Sequence, residues 1–337
     1  MRKLPPVNEA LFEIYTDEVP GLLRELAHTP ALARLKDVGM NCGLEYTSFP
    51  LYCDLKPYSR YDHSVGVAYI IWHFTRDIRQ ALAGLFHDIS TPVFAHVVDF
   101  LNGDHLTQES TEEKTEKMIR ESKEIMAVLD REGISVAEVA DYHQYPVADN
   151  PSGRLSADRL EYTLGNFLNF HTGTLEDCVR FYRDLTVGTN EYGEPELVFH
   201  DLENARSFAE KALVNSVIYS QDEDRYAMEY LAGILRKAMN RRVLNYEDLW
   251  TTEPEVIARL KSDPEILREW EKFGGFSRVE KSAEKQTGDG WLKIDAKRRY
   301  IDPYTEGCGR ISEGLAEMKE KIDGYRNLSY DYYLKGY

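Results

Sequence analysis

The chain has 337 residues, of which 42% are hydrophobic and 29% are charged, proportions typical of a globular protein with one sizeable core. The formal net charge of -17 argues against a general nucleic-acid-binding protein, because such proteins neutralise phosphates with clustered lysine and arginine. It leaves room for a small phosphorylated substrate, since one metal ion and a few local cations can neutralise that charge.

The cysteines and the first residues indicate the compartment. The four cysteines lie far apart and form no C-x-x-C pair, which argues against a zinc ribbon and a disulfide framework. The opening residues, MRKLPPVNEALFEIYTDEV, carry prolines and acids where a signal peptide needs an apolar stretch. No run of residues has the apolar length that a membrane span needs. We therefore expect a cytoplasmic protein that does not enter a membrane.

Most of the sequence predicts helices, and two of them lead to a His-Asp doublet. In HSVGVAYIIWHF the apolar residues recur at helical spacing, and Ser59 or Asp62 can cap the start of this helix. In IRQALAGLFHD the apolar residues share one helical face, and His87 and Asp88 fall at its end. The doublet is therefore predicted to lie at a helix terminus.

Two further helices are predicted after the doublet. TPVFAHVVDFLNG has Thr91 as its N-cap, Pro92 in the first helical position and Gly103 as its stop signal. STEEKTEKMIRESKEIMAVLDREG opens with a capping box at Ser110 and ends at Gly133. Helices are thus expected on both sides of the doublet.

The second half of the chain is also helical, with two exceptions. SADRLEYTLGNFLNF predicts a helix that has Asp158 and Tyr162 one turn apart on one face, and residues 201–239 are again helical. LTVGTNEYGEPELVFH alternates apolar and polar residues around Asn190, which predicts a β-hairpin. After a soft boundary near residue 274 the sequence is glycine-rich and then strand-like.

Four side chains form a candidate metal site: His63, His87, Asp88 and Asp158. Each falls at a predicted helix end or on a predicted helix face. A borderline divalent cation accepts imidazole nitrogen and carboxylate oxygen together. Such a donor set leaves coordination positions for water and a phosphate oxygen, and the cation lowers the pKa of bound water. The order H…HD…D, with each residue in a suitable local context, favours this site over a chance pair.

Three segments carry a family resemblance. RYDHSVGV, LFHDISTPVFAH and SADRLEYTL resemble the signatures of the HD superfamily of metal-dependent phosphohydrolases. The nearest branch is similar to the HD-domain deoxynucleoside triphosphate triphosphohydrolases, with which TPALARLKDVG, IYSQDEDRYAMEYLAGIL and RRYIDPYTEGCGRIS also agree. The resemblance covers about residues 29–315. It implies a mainly α fold, with an HD-type helical domain over residues 1–273 and a small α/β appendage over residues 274–337 packed on this core.

The resemblance also implies roles for individual residues. The four side chains of the candidate metal site would ligate a divalent cation, which could be Mn, Fe, Ni, Zn or Mg. Arg60 would reach a phosphate, and Tyr162 and Tyr219 would contact the substrate, Tyr162 through its sugar. His96 and Asp99, three residues apart on one helix, would face the same pocket as acid or base. The implied partners are a small phosphorylated substrate, a nucleotide above all, and further copies of the chain in a homo-oligomer.

The sequence departs from the triphosphohydrolase branch at two catalytic positions. The branch reads H-D-x-G-H-x-P-F, whereas this chain has Ser90 in place of the glycine and Thr91 in place of the second histidine. In a downstream Thr-His-Glu of the branch, Gln108 replaces the histidine, and glutamine cannot cycle a proton as imidazole does. We therefore assign Thr91 and Gln108 to substrate binding and add Glu109 to the catalytic acid–base residues.

Three functions stay open. The first is hydrolysis of a nucleotide or a related small phosphate ester by a metal-activated water, with Glu109 or Asp99 as acid or base. The second is slow cleavage of deoxynucleoside triphosphates. The third is a sensor or regulator that binds metal and nucleotide without turnover. The complete ligand set favours hydrolysis. A dinuclear site that recruits His96, His105 or His143 is a further alternative.

Overall fold

The computed structural model describes residues 7–103, 106 and 114–337. Four positions discussed above lie outside the described residues: His105, Gln108, Glu109 and Ser110. The substrate contact predicted at Gln108 and the acid–base role predicted at Glu109 therefore stay predictions.

The chain is mainly helical, as the sequence predicts. The described residues form sixteen α-helices: α1 (Asn8–Tyr15), α2 (Gly21–Ala27), α3 (Pro30–Ala33), α4 (Arg60–Thr75), α5 (Ile78–Phe86), α6 (Val97–Asn102), α7 (Thr115–Glu121), α8 (Lys123–Glu132), α9 (Ala157–Asn169), α10 (Leu175–Arg183), α11 (Leu202–Ile218), α12 (Asp222–Asn240), α13 (Glu253–Leu260), α14 (Pro264–Gly274), α15 (Ile311–Gly314) and α16 (Ala316–Arg326).

Seven short strands complete the described structure: β1 (Leu185–Thr189), β2 (Pro195–Phe199), β3 (Val279–Ser282), β4 (Leu292–Lys293), β5 (Tyr304–Thr305), β6 (Gly309–Arg310) and β7 (Tyr333–Gly336). They form one sheet in the order β1-β2-β5-β6 and another in the order β3-β7-β4. β1 and β2 are the predicted hairpin, with Leu185 opposite Phe199. The expected fold class, a helical core with a few strands in the C-terminal region, is confirmed.

The start and end signals of α4 and α5 fix the connection between these two helices. The Ser59 side chain accepts from the Asp62 backbone N–H, and the Asp62 side chain accepts from that of Ser59, so both predicted cap residues take part in one capping box. α4 ends at Arg76, which has a left-handed φ of 52°. Asp77 then caps α5 by accepting from the backbone N–H of Arg79. Two residues thus separate the helices, and α5 folds back along α4.

Two glycines let α4 approach both of its neighbouring helices closely. Gly66 of α4 faces α9, where an added Cβ would lie 2.5 Å from Glu161 Oε1. Gly84 of α5 faces α4, where an added Cβ would lie 2.4 Å from Ile71 Cδ1. Because neither position has room for a side chain, α4, α5 and α9 pack near contact distance. This packing brings the predicted metal ligands, which these helices carry, to one place.

The segment after the doublet does not form the predicted helix. Phe94 and Ala95 have φ values of 58° and 46°, a left-handed conformation that interrupts a right-handed helix. α6 therefore begins only at Val97. The prediction that Thr91 is a helix N-cap is wrong, because its hydroxyl donates instead to Asp88 Oδ1, 2.6 Å away.

The helix predicted to end at Gly133 is two helices. Ser122 has an extended ψ of 107° and separates α7 from α8. Its side chain caps α8 by accepting from the backbone N–H of Ile125. Both predicted stop glycines are confirmed, since Gly103 and Gly133 end their helices with φ values of 79° and 65°.

The C-terminal residues pack on the helical core at several places. β5 pairs in parallel with β2 at Thr305 and Phe199, so it extends the sheet of the hairpin. β7 contacts α12. The boundary predicted between residues 273 and 274 stays a prediction. In the part of the chain that the structure describes, no helix has both the length and the apolar character needed to cross a membrane.

Candidate metal centre and substrate cavity

His63 and His87 meet at the end of α5. His63 lies in the first turn of α4, and His87 directly follows α5. Their Nε2 atoms are 3.2 Å apart. His87 Nδ1 donates to the Gly84 carbonyl at 2.7 Å, so its Nε2 carries the lone pair of the neutral ring. The lone pairs of two Nε2 atoms repel each other at this distance unless a proton or a cation lies between them.

Two carboxylates adjoin these nitrogens. Asp88 Oδ2 lies 3.6 Å from His87 Nε2 and 4.0 Å from His63 Nε2. Asp158 Oδ1 lies 2.9 Å from His63 Nε2 and 3.8 Å from His87 Nε2. The ligand atoms of His63, His87 and Asp88 all lie within 4.8 Å of one another, a spacing that a single metal ion can bridge. The donor set of two imidazoles and two carboxylates suits a borderline divalent cation, and we call these four residues the HHDD cluster.

Glu161 supports the cluster from behind and was not among the residues predicted from the sequence. Its Oε2 accepts from His63 Nδ1 at 2.6 Å and from the Tyr58 hydroxyl at 2.5 Å, and the residue is fully buried. A carboxylate on the far nitrogen fixes the ring and raises the basicity of Nε2, as it commonly does for histidines that bind metals. Glu161 follows Asp158 by three residues on α9, so helical spacing was the signal that could have found it.

The protonation of the cluster follows from this environment. Burial lowers the pKa of His63, but the hydrogen bonds and charges of Asp158 and Glu161 raise it to about 10. Burial raises the pKa of Asp88, yet the charge of Arg60 holds it below its usual range. The structure therefore favours ionised Asp88 and Asp158 around a proton that a divalent cation would displace.

Arg60 and Thr91 orient the Asp88 carboxylate. Arg60 Nη1 donates to Asp88 Oδ2 at 3.0 Å, and Thr91 Oγ1 donates to Oδ1. Thr91 is fully buried, so its hydroxyl serves Asp88 rather than the cavity. Arg34 fixes the loop from outside by donating to the carbonyls of Ile89 and Thr91. Arg60 itself lines the cavity, and the phosphate contact predicted for it stays a prediction.

The cluster opens into a cavity of about 760 Å³. A volume of this size suits a nucleotide-sized ligand. Eight of the residues predicted for the site line it: Arg60, His63, His87, Asp88, His96, Asp158, Tyr162 and Tyr219. Further lining residues were missed, among them Asp149, Arg159, Asn166, Asp224, Lys297 and Arg299.

Tyr162 and Tyr219 form an aromatic wall beside the cluster. Their rings meet edge to face with centroids 6.0 Å apart. Asn166 Nδ2 donates to the Tyr219 hydroxyl at 2.9 Å and fixes that ring. Burial raises the pKa of Tyr162 to about 12, so its hydroxyl stays protonated and can donate. A flat apolar surface next to phosphate-binding groups suits a sugar or a base.

His96 lines the cavity, and Asp99 lies behind it. His96 Nδ1 donates to Asp99 Oδ2 at 2.9 Å, and Asp99 is fully buried. Burial lowers the pKa of His96 to about 4 against the opposing effect of Asp99, so the imidazole is neutral near pH 7. Its Nε2 therefore offers a lone pair, and Arg299 Nη2 lies 3.4 Å from it. This geometry gives Asp99 a positioning part rather than direct contact with a substrate.

The left-handed turn before His96 is held by Glu253 of α13. Glu253 Oε1 accepts from the backbone N–H of Phe94 at 3.3 Å and from that of Gly39 at 2.9 Å. Glu253 Oε2 accepts from the Tyr46 hydroxyl at 2.6 Å. Non-glycine residues in a left-handed conformation cost about 1 kcal/mol each, so the surroundings must hold the turn. The turn interrupts the predicted helix and places His96 at the cavity wall.

The comparisons with known proteins agree with this site. Residues 60–162 match the family model described as HD domain. This segment is similar to HD domains and makes up less than half of the chain. It contains all four residues of the HHDD cluster and the supporting Glu161. The coarser part of the family prediction, the HD superfamily, is thereby confirmed, while the triphosphohydrolase branch stays a prediction.

Two curated proteins are similar to the chain in sequence. The chain is 27% identical over 256 residues to the uncharacterized protein YdhJ of Bacillus subtilis, covering 74% of each protein. It is also 27% identical over 176 residues to the metal-dependent phosphohydrolase cns2 of Cordyceps militaris, covering 51% of this chain and 49% of that protein.

Two solved structures share the fold. A hypothetical protein from Aquifex aeolicus superposes with a TM-score of 0.65 at 17% identity, covering 94% of this chain and 93% of that one. The phosphohydrolase BT4208 from Bacteroides thetaiotaomicron superposes with a TM-score of 0.63 at 16% identity, covering 95% and 96%. At these identities the likeness establishes the arrangement of the helices around the HD domain.

Proposed function

We propose that this HD-domain chain is a metal-dependent phosphohydrolase that acts on a nucleotide or a related small phosphate ester. One observation carries the proposal: the Nε2 atoms of His63 and His87, 3.2 Å apart, lie with two aspartates on the wall of a large cavity. The HHDD cluster would hold a divalent cation, which when bound would polarise a phosphate oxygen and lower the pKa of a water molecule. The HD-domain match and the similarity to a metal-dependent phosphohydrolase support the same activity.

The other cavity residues bind and orient the ester. The Arg60 guanidinium, anchored on Asp88, balances the charge of a phosphate at the cluster. Tyr162 and Tyr219 pack against the sugar or base. His96 faces the phosphate with its Nε2 lone pair. An anionic group nearby raises the pKa of His96, because it stabilises the imidazolium, and thereby lets His96 take up a proton.

A second candidate function, a regulator that binds metal and nucleotide without turnover, rests on Thr91 and His96. Thr91 stands where the triphosphohydrolase branch has a histidine, and its hydroxyl is engaged by Asp88. Burial lowers the pKa of His96 to about 4, so the His96 imidazole is unprotonated at neutral pH before substrate binds. The two functions share the metal and the cavity and differ only in turnover.

Turnover on a panel of phosphate esters separates the two functions. The panel contains p-nitrophenyl phosphate, nucleoside monophosphates and triphosphates, and deoxynucleoside triphosphates, each tested with Mn²⁺, Ni²⁺ or Mg²⁺. We expect product formation that falls at least about 100-fold in His87→Ala and Asp88→Ala, because loss of metal chemistry removes several kcal/mol of transition-state stabilisation. His200→Ala is the matched control, since His200 is half exposed and pairs with Glu306 in the sheet region.

The result of the panel decides between the candidates. Product from at least one ester, lost in both cluster variants and kept in the control, supports hydrolysis. If wild-type protein with confirmed metal content turns over none of the esters while nucleotides still raise its melting temperature, the regulator is the correct function. The cytoplasmic location and the homo-oligomeric state stay predictions.

A further inference from the structure

A segment far along the chain closes one side of the HD-domain cavity. Residues 294–302, which we call the C-terminal strap, are tied down at both ends. At the start, the buried Arg225 donates through Nη1 to the Ile294 carbonyl. At the end, the Asp302 N–H donates to the Gly153 carbonyl at 2.7 Å, and Ile301 forms a parallel bridge with Gly153. The middle of the strap lines the cavity.

Two neighbouring arginines of the strap have different surroundings. Arg299 lines the cavity, and its Nη2 lies 3.4 Å from His96 Nε2. Its charge acts on both tyrosines of the aromatic wall. Arg298 donates to the carbonyl of Leu328 and packs over the ring of Tyr330. Of these two arginines, therefore, Arg299 places its positive charge at the cavity and Arg298 does not.

Arg60 and Arg299 approach His96 from two parts of the chain. Both guanidinium groups line the same cavity as His96. Burial is the largest cause of the low pKa of His96, and the charges of Arg299 and Arg60 lower it further. Arg60 is more than nine-tenths buried, and its Nε has no hydrogen-bond partner among the described residues. An unpaired buried donor on a charged group is costly unless a ligand satisfies it. Two arginines around one imidazole suit an anion that carries several acceptor oxygens.

We propose that Arg299 is a substrate-binding residue that contacts a phosphate group other than the one held at the HHDD cluster. This inference rests on the proposed function. Arg60 is anchored on Asp88 beside the cluster, so it serves the phosphate there. Arg299 comes from the C-terminal strap and lies against His96, so it contacts a second anionic group along the substrate. The cavity then prefers esters with two or more linked phosphates over monophosphate esters.

Calorimetric binding of two inorganic anions to the full-length protein tests this role. Tripolyphosphate and orthophosphate are titrated into wild type, Arg299→Ala, Arg299→Gln and Arg298→Ala in one buffer with excess Mg²⁺, so that chelation in solution is the same for all. We expect tripolyphosphate to bind about 10- to 100-fold more weakly to both Arg299 variants, because a charge-assisted contact is lost. Orthophosphate affinity changes less than about threefold, and Arg298→Ala binds both anions like wild type.

The outcomes distinguish this inference from the proposed function. Unchanged tripolyphosphate affinity in Arg299→Gln overturns the role of Arg299, whether or not the protein hydrolyses esters. An equal loss in Arg298→Ala also overturns it, since the effect would then be a general result of lowering the strap's charge. Absence of turnover on the ester panel overturns the proposed hydrolysis and leaves a binding difference at Arg299 intact. Circular dichroism melting of each variant identifies any that fails to fold, and Arg299→Gln is the milder of the two changes.

Discussion

At the residue scale, the buried charges of the cluster are stabilised because each one has a partner. His63 has a carboxylate on each side, Asp158 at Nε2 and Glu161 at Nδ1. Isolated buried charges are strongly unfavourable, so each one here is compensated by a hydrogen bond or an opposite charge. The HHDD ligands could be predicted from residue types and order. Glu161 could also have been predicted from its position one turn after Asp158.

Removing the charge of Glu161 tests the support of the cluster. In Glu161→Gln the His63 ring loses its carboxylate partner, so we expect metal affinity to fall about 10- to 100-fold. Tyr58→Phe removes only the other hydrogen bond to the same carboxylate and should weaken metal binding less. Competition with a chromophoric chelator measures both affinities. Equal affinities in wild type and Glu161→Gln would mean that Glu161 has no part in metal binding.

At the element scale, local sequence signals predicted helix ends correctly where no distant residue competes with them. The capping box of α4 lies within residues 59–62, where the sequence predicts a cap at Ser59 or Asp62. Thr91 also reads as a cap, but Asp88 competes for its hydroxyl and the left-handed residues Phe94 and Ala95 break the helix. Glu253, which holds that turn, is more than 150 residues away in the sequence, so no local pattern could have shown the change.

The close approach of α4 and α9 can be tested at one glycine. In Gly66→Ala the new methyl would meet Glu161 at 2.5 Å, so we expect a loss of about 1–3 kcal/mol of unfolding free energy and weaker metal binding. Gly233→Ala on α12 is the matched control, because an added Cβ meets nothing within 4 Å. Alanine is the better helix former there, so this control should gain up to about 1 kcal/mol. Urea unfolding measures both, and a neutral Gly66→Ala would contradict the close packing.

At the scale of the whole molecule, the site is assembled from distant parts of one chain. α4, α5 and α9 of the HD domain carry the cluster, α11 and α12 adjoin the far wall, and the C-terminal strap closes another side. The sequence predicted the helical core because its signals are local and periodic. It could not place Arg299 beside His96, since the pair is 203 residues apart and depends on the anchoring of Ile294 and Asp302.

The proposed function requires a divalent cation at the HHDD cluster, and elemental analysis detects that cation without any substrate. Protein purified from cells grown with added transition metals is analysed by inductively coupled plasma mass spectrometry, together with His87→Ala, Asp88→Ala and the control His200→Ala. We predict about one transition metal ion per chain in wild type and control, with little in the cluster variants, because each loses one of four ligands. Metal-free wild-type protein, or equal metal content in folded cluster variants, would mean that the HHDD cluster is not a metal site.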